Sequence, residues 1–569
     1  MANLIFLPVA DDIKSGSYLL YDGALGTGGM LTVAEETLKK LAEERGNAVQ
    51  THLYGQEINP ETYAICKADM LIKGENAENI IGGPEYSTIS NDAFRAKEFD
   101  FMLSNPPYGK SWKKDLETIG GKSKIIDPRF RISHKDELDY QLIPRSSDGQ
   151  MLFLANMVSK MNHKSPLGSR IAEVHNGSSL FTGDAGQGES NIRRWIIEND
   201  WLEAIIALPL NLFYNTGIGT YIWVISNRKS ETRKGKIQLI DATQWFKPLR
   251  KNLGKKNCEL SEEDIRRICN TFLAFEKTEQ SKIFQNEHFG YWKVTVERPL
   301  RLHSQLTMKA IESLRFASGD EDIRSQLYDE FGDALHEDFK IIKGDLEKRI
   351  IEWGSDNGDD EDENPPNNAL PESMRKKLLN PETWYRDEKL YEVALKLREE
   401  LGSELFEDYN TFQETVKETI KNTEIKISAS DLKIILRTVS WREETAPPVI
   451  SKIHKNTKIK PDPLYGRYKH KEESESVVVE YEPDTELRDT EQVPLLEEGG
   501  IEAFIKREVL PYAPDAWIKR EATKIGYEIS FTRHFYKPVP LRTLEEIRTD
   551  IIAVEKEAEG LLEGILNIG

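Results

Sequence analysis

The sequence predicts an α/β protein: a doubly wound, largely parallel sheet followed by a mainly α-helical C-terminal extension. Three observations carry this expectation. Near the N-terminus a short strand, Tyr18–Tyr21, runs into a glycine-rich turn and then a helix with one apolar face, the opening unit of a nucleotide-binding sheet. Short apolar runs then alternate with helical patterns as far as Ile225. After residue 300, charged stretches with helical periodicity take over.

The chain has 569 residues, 38% of them apolar and 31% charged, which is enough for several domains with real cores. No window approaches the ~18 apolar residues of a membrane span, and the N-terminus lacks the pattern of a signal peptide. Cys66, Cys258 and Cys269 are an odd number without metal-ligand spacing. They argue for a reducing, cytoplasmic setting and against a disulfide framework or a zinc site. The formal net charge is −20. A stand-alone nucleic-acid binder normally carries a basic footprint, so an acidic chain acting on DNA leaves much of the phosphate grip and the sequence reading to a partner.

The first strand ends in Asp22-Gly23-Ala24-Leu25-Gly26-Thr27-Gly28-Gly29. Glycines let the backbone bend sharply and approach a ligand closely; tight turns use the same residues. The helix after it carries Met30, Val33, Ala34, Leu38 and Leu41 on one face. A second strand, His52–Gly55, ends in Gln56-Glu57, and Asn59-Pro60 starts the next helix. An acid at that strand tip is placed to accept ribose hydroxyls, or is a solvated glutamate. A third unit reads as a strand over Ser87–Ser90 followed by Asn91-Asp92-Ala93-Phe94. Asp92 is an acceptor for an exocyclic amine with Phe94 packed beside it, or a helix N-cap.

The fourth strand, Phe99–Leu103, delivers Asn105-Pro106-Pro107-Tyr108. The prolines fix their own φ and hold the residue before each out of helix, so the loop is stiff. It can aim the Asn105 amide and the Pro106 carbonyl at one small donor, with Tyr108 as a flat face for stacking. An exocyclic NH2 on a planar ring suits such a loop. Four strand ends thus present a glycine turn, two acids and this tetrapeptide to the carboxyl edge where α/β sheets bind ligands.

In that order the motifs resemble those of S-adenosylmethionine-dependent amino-methyltransferases. Residues 17–230 are similar to the modification subunit of type I restriction-modification systems. Tyr21–Leu31, Ser104–Gly109, Asp127–Phe130, Asp148–Leu154 and Leu208–Ile218 carry the likeness. The resemblance implies a seven-stranded-type methyltransferase sheet, Rossmann-like, and methylation of adenine N6 in DNA. S-adenosylmethionine would be the cofactor, and DNA, a specificity subunit and a restriction (translocase-nuclease) subunit the partners. It implies that Asn105, Pro106, Pro107 and Tyr108 are catalytic. It places Asp22, Ala24, Gly26, Thr27, Gly28 and Gly29 around the methionine part of the cofactor, Glu57 on its ribose, and Asp92 and Phe94 on its adenine. Two departures stand out. The family's N-terminal helical domain and Thr-Pro segment precede the point where this chain begins, so an N-terminally truncated chain, or one completed by an upstream polypeptide, is expected, and Leu25 stands where the family often has Cys. The alternatives are a protein-glutamine amide methyltransferase using the same loop, or a non-catalytic scaffold subunit.

The remaining expectations complete five segments: a catalytic α/β domain over 1–235, a mixed and mostly helical stretch over 236–355, an acidic linker over 356–370, a helical and irregular region over 371–515, and a coiled-coil-like tail over 516–569. Residues 110–147, with Gly120-Gly121, Arg129, Arg131 and Lys135, read as a long polar loop over the site mouth, either a DNA contact or a solvated insertion. His175, at a strand end, is better read as structural than as a base. Ile237–Ile240 reads as the last edge strand. Lys247, Arg250, Lys251, Lys255 and Lys256 form a basic loop, either a solvated face or a phosphate contact. Leu544, Ile547, Ile551, Val554, Ala558, Leu561 and Ile565 make a heptad seam. It packs on its own domain or on another subunit.

Overall fold

The computed structural model describes residues 1–121, 125–214, 216–353, 370–423, 425–454, 459–472, 475–536 and 543–566. They divide into two units, one of residues 1–293, 493–497 and 524–569, the other of 294–492 and 498–523.

The first unit begins with α1 (Ala2–Phe6), β1 (Gly16–Asp22), α2 (Gly29–Glu43), β2 (Val49–Glu57), α3 (Pro60–Lys73), β3 (Ile80–Gly82) and β4 (Phe101–Ser104). It continues through α4 (Lys113–Thr118), a hairpin of β5 (Arg131–His134) and β6 (Glu137–Gln141), α5 (Gln150–Ser159), β7 (Arg170–Asn176), α6 (Ser178–Phe181) and α7 (Gly188–Glu198). Then come β8 (Leu202–Ala207), β9 (Thr220–Ser226), β10 (Lys236–Asp241), a hairpin of β11 (Lys247–Leu253) and β12 (Lys256–Glu259), α8 (Glu262–Ala274) and β13 (Ser281–Gln285).

Nine strands form one sheet in the order β13-β10-β8-β9-β7-β4-β1-β2-β3. β9 and β13 run antiparallel to their neighbours, and the other pairs are parallel. A parallel sheet is covered on both faces, so its strands are apolar throughout; every residue of β8 is buried. Alternate residues point to opposite faces. Leu20, Phe101, Leu103 and Val224 pack with α1, α2 and α8, while Tyr21, Met102, Ile171 and Trp223 pack with α5 and α7.

Several local expectations are corrected. The third strand is Ile80–Gly82, and 87–90 is a turn. The stretch expected to be a loop over 110–147 contains α4 and the β5–β6 hairpin. β10 is an interior strand because β13 adds antiparallel outside it. The basic loop is the β11–β12 hairpin. Near its end the chain returns to the first unit, where Lys524–Tyr527 pairs antiparallel with residues 290–293 and Arg193 Nε donates to the Tyr527 carbonyl at 2.5 Å.

The second unit mixes helices and strands. Helices such as Pro381–Leu401, Tyr409–Asn422 and Ala429–Thr438 enclose Ile311, Leu390, Phe412 and Leu436. Ala446–Glu475, which reads in the sequence as irregular or extended, contributes to a three-stranded antiparallel sheet of Ile450–His454, Glu475–Tyr481 and Arg467–Glu472. The expected acidic linker lies outside the described residues up to 369. Leu544–Leu566 is one helix on which Leu544, Ile551 and Val554 of the expected seam are exposed.

Candidate active site

The carboxyl ends of β1, β2 and β4 meet at a cavity of 180 Å³ whose walls include Ala24, Glu57, Thr88, Pro107, Trp112 and Phe153. Gly23 and Ala24, which begin the turn after β1, line it. Gly26 and Gly28 have φ of 57° and 80°, the left-handed region that glycine enters without a Cβ penalty. A Cβ on Gly28 would lie 2.6 Å from Cys66 Sγ of α3, so close packing also requires glycine there. Leu25 is buried beneath Gly55, where a Cβ would come within 2.8 Å of its methyl carbons. A bare glycine on β2 therefore accommodates the larger residue. α2 starts without a side-chain cap, with Thr27 and Gly29 exposed.

Two carboxylates flank the turn. Glu57 accepts from the Gly26 N–H and the Asn59 N–H, each at 2.8 Å, and keeps lone pairs toward the cavity. Asp22 is buried; its Oδ1 accepts from Ser104 Oγ at 2.7 Å and from the Ala24 N–H at 2.9 Å. Its Oδ2 is buried with no hydrogen-bond partner among the described residues. Burial pushes the Asp22 carboxyl up to about 7, against the pull of its Ser104 and Ala24 hydrogen bonds. An unpartnered carboxylate oxygen in low dielectric is costly unless a donor, best a cation, reaches it.

Asp92 and Phe94 stand behind this cavity. Asp92 Oδ2 pairs with Lys160 Nζ at 2.5 Å and its Oδ1 accepts from the Phe94 N–H at 3.0 Å. The side chain is fully enclosed, and Asp92 is not among the residues that line the cavity. Phe94 packs edge-on against Tyr21 and Tyr54. The wall is built instead by Ser87, Thr88 and Ile89. Arg129 fixes that turn by donating to the Thr88 carbonyl at 2.7 Å and the Ile89 carbonyl at 2.8 Å. Gln56 staples its two ends, donating to the Tyr86 carbonyl at 2.9 Å and the Asn91 carbonyl at 2.8 Å. Trp112 and Phe153 complete the apolar side. Neither Gln56 nor these rings stood out in the sequence; Arg129, expected in a polar loop that could contact DNA, is buried and serves this turn instead.

β4 projects the tetrapeptide. Asn105 and Pro107 are exposed, Pro106 is buried and Tyr108 half-buried. The Asn105 amide makes no hydrogen bond among the described residues, and burial raises the Tyr108 hydroxyl. The loop is anchored from behind. The Gly109 N–H donates to Asp148 Oδ1 at 3.1 Å, the Gly149 N–H to the Lys110 carbonyl at 3.1 Å, and Trp112 Nε1 to the Arg145 carbonyl at 2.8 Å. Behind Asp148 a buried chain continues. Gln150 Nε2 donates to Asp148 Oδ2 at 2.7 Å, Gln150 Oε1 meets His175 Nδ1 at 3.2 Å, and His175 Nε2 meets Glu173 at 3.1 Å. Burial lowers His175 to about 3 and holds Glu173 well above the usual carboxylate range. His175 is therefore a neutral structural link with no access to a substrate.

The family model described as N-6 DNA Methylase matches residues 3–296. Among curated relatives, the Type I restriction enzyme MjaIX methylase subunit of Methanocaldococcus jannaschii is 31% identical over 50% of this chain and 45% of its own length. The HindI methylase subunit of Haemophilus influenzae is 28% identical over 48% of this chain and 54% of its own. The chain thus spans about half the length of the curated relatives it matches. A crystal structure of a type I restriction-modification methyltransferase subunit from Streptococcus thermophilus aligns at 24% identity and a TM-score of 0.39, covering 51% of this chain and 54% of that one.

Proposed function

The chain belongs to the N-6 DNA methylase family, and from that premise we propose that it transfers a methyl group from S-adenosylmethionine to adenine N6 in DNA. The observation that carries the reading is the buried, unpartnered Asp22 oxygen at the end of β1, next in sequence to Gly23 and Ala24, which line a cavity together with Glu57 and Pro107 of the Asn-Pro-Pro-Tyr loop. S-adenosylmethionine has an ammonium for Asp22, a carboxylate for the uncapped start of α2, and ribose hydroxyls for the free lone pairs of Glu57. Its adenine fits the wall of Ile89, Trp112 and Phe153. When bound, it supplies an electrophilic methyl on a sulfonium.

The amino nitrogen of adenine is a weak nucleophile because its lone pair is delocalised into the ring. The Asn105 side-chain oxygen and the Pro106 carbonyl accept its two N–H groups. This favours a pyramidal nitrogen and localises the lone pair toward the methyl carbon. With S-adenosylmethionine bound, the N–C bond would form as the S–C bond breaks, and the resulting cationic nitrogen would lose a proton to water. No side chain need act as a tuned base. The stiff loop fixes the alignment, and Tyr108 stacks on a base taken out of the duplex.

The wider reading is that of the modification subunit of a type I restriction-modification complex, with a specificity subunit and a restriction subunit as partners and the cytoplasm as its location. The exposed apolar residues of the Leu544–Leu566 helix are its candidate docking element. No helix of the described residues is long and apolar enough to cross a membrane.

The test is methyl transfer from labelled S-adenosylmethionine to duplex DNA by wild type and Asn105→Ala. The variant is expected to bind the cofactor normally and transfer methyl at least a hundredfold more slowly; transfer at the wild-type rate would overturn the assignment.

A further inference from the structure

The charge balance of the molecule makes one element anomalous. The chain carries a net −20, yet from Trp245 to Cys258 there are five cations and no acid. Those cations lie on or at the turn of the β11–β12 hairpin. Lys247, Arg250, Lys251 and Lys255 are exposed, and none of the five has an ion pair among the described residues. In a chain this rich in acids, four exposed cations without carboxylate partners are poorly explained as a surface arranged for its own stability.

The hairpin is also held in place. Lys256 Nζ donates to the Leu212 carbonyl at 2.6 Å, the Asn257 N–H to the Asn211 carbonyl at 3.2 Å, and Cys258 Sγ to the Leu210 carbonyl at 3.2 Å. Its root is fixed by Trp245 and Cys258, both buried in the core under α8. Four of the cations therefore project from a rigid support, and the fifth, Lys256, serves as the clamp.

Topology sets where it projects. The hairpin follows β10, which is parallel to β8. β8 and β7 are both antiparallel to β9, and β7 is parallel to β4. The carboxyl ends of β10 and β4 therefore lie on the same edge of the sheet. The hairpin and the Asn-Pro-Pro-Tyr loop both leave from that edge, four strand positions apart. At ~4.8 Å per strand the separation is about 19 Å, or roughly six steps of a duplex rising ~3.4 Å per base pair.

We propose that the β11–β12 hairpin is a phosphate-backbone clamp that holds duplex DNA about half a helical turn from the target base. It rests on the reading of the chain as a DNA methylase and adds the surface that grips the substrate. Such contacts position the duplex without reading sequence, which suits a chain that leaves recognition to a partner.

The test is the salt dependence of binding to a duplex of mixed sequence, using the full chain as wild type and as Lys247→Gln/Arg250→Gln/Lys251→Gln/Lys255→Gln. Lys256 is left intact because it anchors the hairpin. Each phosphate contact contributes about −0.9 to the slope of log K against log salt, so the fourfold variant is expected to lose about three to four from that slope. A variant with Arg at the three lysines should keep the wild-type slope. S-adenosylmethionine titration of both variants reports whether the fold is retained. An unchanged slope in the fourfold variant, or a wild type whose duplex binding is insensitive to salt, overturns the clamp. So does an unchanged slope combined with lost capture of an acidic protein, which would make the hairpin a protein-docking site. Methyl transfer is scored separately. Salt-dependent binding lost in the variant, without transfer by wild type, would sink the enzymatic reading and leave the clamp; transfer with unchanged slopes would do the reverse.

Discussion

The Gly109 N–H donates to Asp148 Oδ1 at 3.1 Å and so ties the Asn-Pro-Pro-Tyr loop to the start of α5. The same oxygen accepts from the Gln150 N–H at 3.2 Å, and Gln150 continues the chain to His175 and Glu173. Asp148→Ala removes the anchor without touching the turn after β1. The expected outcome is a ten- to hundredfold fall in single-turnover methyl transfer, with cofactor affinity changed less than threefold. Asp148→Asn keeps an acceptor oxygen and should recover most of the rate.

Asp22 sets a pH dependence. Its folded value of about 7 lies above that of an unfolded aspartate, so protonation is favoured in the native state. Ionisation is required to receive an ammonium group. Cofactor affinity measured by titration calorimetry should therefore fall about tenfold between pH 8 and pH 6, following the ionised fraction. Asp22→Asn should bind weakly at both pH values.

The same shift has a stability consequence of definite sign. An acid raised on folding stabilises the protein fully below its unfolded value, and that contribution is lost as pH rises through the folded value near 7. At pH 8 the native state carries a buried charge with one oxygen unpartnered. Asp22→Asn is therefore expected to raise Tm by a few degrees at pH 8 in the absence of cofactor, and to raise it much less at pH 5.

Gly28→Ala places a methyl 2.6 Å from Cys66 Sγ and 3.3 Å from Met70 Cε at a φ of 80°. The cost should be about 1–3 kcal/mol in urea denaturation. Adding Cys66→Ala should restore part of it by relieving the contact but not the backbone strain. Full additivity of the two substitutions would refute the packing account.

Lys160 and Asp92 form a buried pair, with burial lowering the lysine. Lys160→Met leaves the buried carboxylate with Arg129 at 3.5 Å and the Phe94 N–H at 3.0 Å in place of its close ion pair. A loss of about 3–5 kcal/mol is expected, largely recovered in Lys160→Met/Asp92→Asn.

The strand, glycine turn and helix that open the sheet were readable from the sequence because their signals are local. Gly26, Gly28 and Glu57 sit where strand and helix periodicities change, and those changes can be seen within a dozen residues. Ser87–Ser90 reads as a strand from its alternation, and it is a turn. The turn there is imposed by Arg129, which reaches the Thr88 and Ile89 carbonyls from about forty positions away. The β11–β12 hairpin read as a loop because its lysines carry little strand propensity; its register comes from contacts with Asn211 and Leu212. The return of 524–536 to the first unit left no trace in composition, since no local pattern encodes which distant strand edge a short segment will join.

That return bears on synthesis. Residues 1–293 can begin to fold as they leave the ribosome, but Arg193 finds the Tyr527 carbonyl only after the rest of the chain through Tyr527 has been made. At roughly 5–20 residues per second this delay lasts on the order of ten to fifty seconds. Throughout it, Tyr291 and Phe289 lack the edge partners that Gly526–Glu528 later provides. The strand edge at residues 290–293 of the first unit thus stays without this pairing until nearly the whole chain has been made.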